Sequence, residues 1–218
     1  MSDHYEPTER TGLNRLRHKA VFDAAAVHAI LDSARVGTLA WADGYGQPFA
    51  LPMAYVRDGG RLLFHGSTGG GMLRALAAGA RCCFNVFHED GLVLARSAFE
   101  SSFQYRSVTV LGVCEELADV AKRQAMDTIT EGLFPARARE LRPMSDKEVA
   151  ATLVLALPLD ELSCKVSAGW PDDSAEDLDW PVWAGVLPVR KVFGEPLPAP
   201  DLREEFGAVP PYLSEWRA

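Results

Sequence analysis

The feature that most constrains this chain is a change of period at residue 36. Three short apolar runs follow in quick succession: VGTLAWA (36–42), FALPMAYV (49–56) and RLLFH (61–65). DGYGQ and RDGG separate them, and Asp-Gly and Gly-Gly steps are the turn chemistry of tight hairpins. The pattern predicts an antiparallel meander. That meander has three strands, and further strand-like runs follow: RCCFNVF (81–87), an HEDG turn, LVLA (92–95), SVTVLGVCEEL (107–117), TLVLALPL (152–159) and CKVSA (164–168).

Helical spacing appears between these runs. Residues 23–33 carry Val27, Ile30 and Leu31 on one face, with Asp23 placed to cap the helix start. MLRALAA (72–78) is helical and ends at Gly79, a natural terminator. Residues 120–134 return to helical period before Pro135, and 136–150 hold a further helical piece. This order is too irregular for a doubly wound parallel sheet and predicts a β-barrel with helical additions. Small barrels are filled by side chains, so a ligand is expected at a rim or a seam. Residues 1–19 read as an N-terminal arm and 20–170 as the barrel domain. The Trp- and Pro-rich 171–218 read as a tail wrapping that domain or a partner subunit.

Bulk composition excludes several functions. A net charge of −8 disfavours a phosphate-backbone partner, so no nucleic acid is expected. No run of about 18 apolar residues is present to span a membrane. The polar N-terminus lacks the apolar core of a signal peptide, which points to the cytoplasm. Cys82, Cys83, Cys114 and Cys164 show no zinc-type spacing and read as free thiols in a reducing compartment, with no metal site.

The stretch with most chemical content is LLFHGSTGGGMLRALAAG (62–79). It fails as a P-loop, because Met72 and Leu73 stand where Lys and Ser or Thr are needed. It fails as a dinucleotide fingerprint, because the sixth position counted from Gly69 is Arg74. Even so, a glycine turn brings backbone N–H groups close to a ligand, and the following helix points its positive end at the same space. Ser67 and Thr68 add hydroxyls. An anion site and a plain flexible connection both fit these residues. His65, directly before the turn, fits both a structural role and a functional one. His88, in HEDG, is expected to be merely solvated.

HGSTGGGMLRALAAG followed by DGLVLARSAFESSFQYRSVTVLG resembles the pyridoxamine 5′-phosphate oxidase-like superfamily of flavin-binding split barrels. It is most similar to the nitroimidazole-reductase-like and flavin-nucleotide-binding branch. The likeness runs from about Arg17 to Leu117 and returns at CKVSAGW and VWAGVLPV. It implies a six-stranded split β-barrel of α+β class, paired as a homodimer with FMN at the subunit interface. Backbone groups near Met53, Ala54 and Tyr55 would meet the polar edge of the flavin ring. Phe64, His65 and Gly66 would lie beside the ring and ribityl chain, and Ser67, Thr68, Gly70, Gly71 and Met72 would cradle the phosphate. Arg106 and Ser107 would approach from a neighbouring strand, and Lys165 and Trp183 would close the site. FAD, a deazaflavin or haem are the other cofactors the superfamily uses.

Two departures bear on activity. Gly70-Gly71 stands where the pyridoxal-phosphate-forming oxidases carry an Arg-Lys pair, and PPYLSEWRA lacks their C-terminal basic and histidine signature. The resemblance therefore implies an oxidoreductase acting on a small electron-poor molecule, not a pyridoxamine phosphate oxidase, with His65 as the catalytic candidate. A flavin- or haem-binding carrier or sensor is the alternative.

Overall fold

The structure is a computed structural model that describes residues 3–216, so Arg217 and Ala218 of the C-terminal segment lie outside the described residues. In chain order the elements are α1 (Ala24–Asp32), β1 (Val36–Ala42), β2 (Pro48–Ala54), β3 (Val56–Asp58), β4 (Arg61–Ser67) and α2 (Gly71–Ala77). There follow β5 (Arg81–Leu94), β6 (Ser102–Val113), β7 (Glu115–Glu116), α3 (Asp119–Leu133), α4 (Asp146–Ala151), β8 (Thr152–Pro158), β9 (Leu162–Ser167) and β10 (Gly185–Pro188).

Local signals explain most of these boundaries. The Asp23 carboxylate accepts from the Ala26 N–H at 2.8 Å and starts α1. Ser145 and Glu148 close a reciprocal capping box on α4. At the end of α2, Gly79 takes a φ of +92°, which frees Ala80 N–H to reach Ala75 O and Gly79 N–H to reach Leu76 O. That pair of bonds satisfies carbonyls the helix would otherwise leave open.

All strand pairs are antiparallel and fall into two sheets. One runs β2-β1-β5-β6-β9, with β10 also on β5; the other runs β3-β4-β8-β7. Two of the chain's passages between the sheets are made at single buried residues, Tyr55 and Cys114. At the first, the Tyr55 hydroxyl donates to Leu31 O and its N–H to Arg35 O, anchoring the corner to the end of α1. Burial pushes the Tyr55 hydroxyl pKa far above its ordinary value, so it stays a donor. This is a split β-barrel of α+β class, as expected.

The main core lies between the sheets. Leu62, Phe64, Phe84, Val108, Val110 and Leu155 are fully buried, with Phe84 packed 5.0 Å from Phe64 and 4.8 Å from Tyr55, ring centre to ring centre. A second core lies outside the smaller sheet. There Leu63, Val154 and Ala156 are covered by Met126, Ile129 and Leu133, one stripe of α3.

Several expectations need correction. The 49–56 run is not one strand: it breaks at Tyr55, where the chain changes sheet. HEDG is not a turn either. β5 runs unbroken from Arg81 to Leu94 and takes up Asp90 as a bulge between Glu89 and Gly91. β6 begins at Ser102, ahead of its expected start, and ends at Val113 before the corner at Cys114. The tail contributes a strand, β10, that the sequence did not signal. It also carries the buried Asp173 carboxylate, which accepts from the Arg96 N–H at 2.7 Å and the Arg96 guanidinium at 2.9 Å. At the other end, the arm is tied down by Tyr5 on His28 and by a bridge from Ala20 to Lys165 on β9.

Candidate functional site

β4 organises the site because its two faces have different fates. Leu62 and Phe64 point into the main core. A Cβ on Gly66 would sit 2.5 Å from a Leu73 methyl, so glycine here lets α2 close against the strand. Leu63, His65 and Ser67 alternate onto the other face. α3 covers Leu63 and, on β8, Val154, but leaves His65 and Ser67 exposed. On β8, Val154 lies opposite His65 and Thr152 opposite Ser67.

His65 makes no hydrogen bond among the described residues. Partial burial on the sheet holds its pKa below 6.5, so the imidazole is neutral at pH 7 with a ring nitrogen lone pair available. The turn follows directly. Gly69 N–H donates to the Ser67 hydroxyl at 3.2 Å, Gly70 N–H to Ser67 O at 2.9 Å, and Thr68 N–H to Ala151 O at 3.0 Å. Gly70 is the N-cap of α2 and provides no side-chain cap, so the first-turn N–H groups of the helix remain to be satisfied from outside. A neutral imidazole, two hydroxyls and a turn of small residues thus share one open stretch of chain.

The other expected residues divide into groups. Met53 and Ala54 are half-buried at the end of β2, where the chain crosses towards β4's sheet. The side chains of Tyr55 and Phe64 are core, leaving only their backbone for a ligand. Ser107 and Lys165 are direct neighbours across β6 and β9 on the larger sheet, with the Lys165 ammonium 5.6 Å from the Tyr105 ring centre. Arg106 points to the opposite face and grips Asp90 through two bonds of 2.8 Å. That grip holds the Asp90 carboxyl below its usual pKa. His88 is not simply solvated, since its ring bonds the Ser33 hydroxyl at 3.1 Å. Trp183 is exposed on the tail, its ring laid over Gly185.

One feature carried no sequence mark. Beside α2 lies a groove of about 710 Å3 bounded by Trp41, Asp43 and Phe49 of the β1–β2 hairpin and by Gly71 and Met72. WADGYGQPF reads as an ordinary hairpin, and only the cross-strand register reveals that Trp41 and Phe49 stack.

The family model described as pyridoxamine 5′-phosphate oxidase matches residues 23–166. The chain belongs to this family of split-barrel proteins. Two solved structures resemble it over nearly its whole length. The FAD and heme binding protein from Mycobacterium smegmatis is 43% identical, with a TM-score of 0.87, covering 91% of this chain and 97% of that one. The flavocytochrome Anf3 from Azotobacter vinelandii is 36% identical, with a TM-score of 0.91, covering 98% and 99%. A putative 5-nitroimidazole antibiotic resistance protein from Bacteroides thetaiotaomicron shares the fold at 23% identity and a TM-score of 0.57, covering 67% of this chain and 86% of that one. No curated protein matches the chain.

Proposed function

We propose that this protein binds a flavin and a haem and works as an oxidoreductase that passes electrons to a small molecule. The observation that carries the reading is His65, a neutral, unbonded imidazole on an open sheet face, directly ahead of an uncapped glycine turn. A neutral imidazole is the usual protein ligand of haem iron. The uncapped N–H groups at the start of α2, together with the Ser67 and Thr68 hydroxyls, suit a phosphoryl group. The near-full-length likeness to a FAD and heme binding protein and to a flavocytochrome supports both assignments.

Flavin and haem together supply two-electron and one-electron transfer, and the chain supplies placement. Ser67, Thr68, Gly70, Gly71 and Met72 hold the flavin phosphoryl end. Backbone groups of Met53 and Ala54 fix the ring edge, and His65 ligates the haem. FMN, implied by the sequence resemblance, gives way to FAD as the favoured flavin because of the 43% identical relative. A homodimer is part of the proposal. Phe87 and Phe103 are exposed on β5 and β6 of the larger sheet, near Ser107 and Lys165, and pairing of two such faces would cover them.

The test is the absorbance spectrum of protein purified from haem-replete cells, for the wild type and His65→Ala. The expected result is flavin bands with a Soret band in the wild type, and flavin bands alone in the variant. A Soret band that survives in His65→Ala overturns the ligand assignment. Flavin without haem in the wild type returns His65 to the role of proton donor beside the ring. Absence of flavin from the wild type overturns the whole reading.

A further inference from the structure

The groove beside α2 lies outside the residues given to the flavin ring and the haem. Its wall is the β1–β2 hairpin, where Trp41 and Phe49 are direct cross-strand partners. Their rings stack at 5.1 Å between centres, tilted by 20°. Phe49 remains 42% exposed, so the pair offers an open aromatic platform. Asp43 stands beside it, held rigid because one carboxylate oxygen accepts from both the Tyr45 and Gln47 N–H groups at 2.9 Å. Its second oxygen is free to accept from a ligand. Gly71 and Met72, which belong to the phosphate turn as well, also line the groove.

The lining thus combines N–H groups at the start of α2, a fixed carboxylate and an aromatic stack. These suit, respectively, a pyrophosphate, ribose hydroxyls and a purine. We propose that this groove holds the adenosine end of a dinucleotide flavin, and that Trp41, Phe49 and Asp43 are what select FAD over FMN. The inference rests on the flavin reading above and adds to it the residues that decide which flavin is taken. A groove sharing two residues with the phosphate turn favours a ligand covalently continuous with the bound flavin. A separate nicotinamide dinucleotide has the same adenosine diphosphate chemistry without that continuity.

The experiment is calorimetric titration of cofactor-stripped protein with FAD, FMN and NADH. It compares the wild type with Trp41→Ala, which removes half the platform, and Ala78→Glu, which places bulk and charge at the groove edge on an exposed residue. The expected wild-type preference for FAD over FMN is about ten-fold or more, the scale of one base–aromatic stack. Both variants should lose that preference while FMN affinity stays within about two-fold of the wild type. Equal loss of FAD and FMN, or no loss of FAD, overturns the proposal. So does a loss of NADH affinity in the variants with FAD unchanged, which would give the groove to a nicotinamide dinucleotide. Should Trp41→Ala fail to fold, Ala78→Glu decides alone. A wild type that binds neither flavin overturns the flavin reading and this inference with it, whereas a wild type that binds both with equal affinity overturns this inference only.

Discussion

Phe64 and His65 are adjacent in sequence and opposite in kind. Phe64 is fully buried between the sheets, against Phe84; His65 projects from the other face of the same strand and bonds to nothing in the described protein. The strand period of two makes this possible, because one residue of displacement moves a side chain from the core to the open face. α3 then decides how much of that open face is used for packing. It covers Leu63 and the neighbouring Val154 but leaves His65 and Ser67 exposed, so the same face is packed at one end and open at the other. Core packing and the proposed ligand site are separated here by a single step along the chain.

The contrast can be broken from either side. The largest expected effect is Phe64→Ala, which should destabilise the fold by about 3–5 kcal/mol, measured by denaturant unfolding. Gly66→Val comes next. Its Cβ would meet the Leu73 methyl at 2.5 Å, and prising α2 from β4 should cost about 1–3 kcal/mol and weaken flavin binding as the turn shifts. By contrast, His65→Ala should change stability by no more than about 0.5 kcal/mol at pH 7, because the imidazole has no protein partner to lose.

A pH series sharpens the same comparison. The folded-state pKa of His65 lies below its ordinary value of 6.5 because burial disfavours the charged ring. The unfolded chain therefore binds more protons there as pH falls through 6.5, so native stability falls on acidification and recovers above it. In cofactor-free protein, the His65 ring should titrate below pH 6.5 by NMR, and His65→Gln should flatten part of the stability loss between pH 7.5 and 5.5. A ring that titrates above 6.5 would mean it has found a carboxylate partner.

Much of the frame could be read from the residues. The alternating runs and DG turns located β1, the β4 hairpin and β8, and Asp23 and Gly79 marked the ends of two helices. What escaped was decided at a distance. Nothing in FALPMAYV announces the break at Tyr55, because the corner depends on hydrogen bonds to Leu31 and Arg35. HEDG has the composition of a turn, but Asp90 is claimed by Arg106 and the bulge lets β5 keep pairing with β6. β10 is four residues in a Pro-rich tail, too short to show a period. The turn and His65 stood out by residue type alone; the Trp41–Phe49 groove needed register.

The central claim is that the open end of β4 and the turn after it form the flavin site. Amide chemical-shift mapping on adding FAD to the cofactor-free protein tests this most directly. The account predicts the largest changes at His65–Met72 and at Met53 and Ala54, with the tail cavity around Leu202 and Phe206 left unmoved. Changes concentrated in that tail cavity, with 65–72 unaffected, would contradict it.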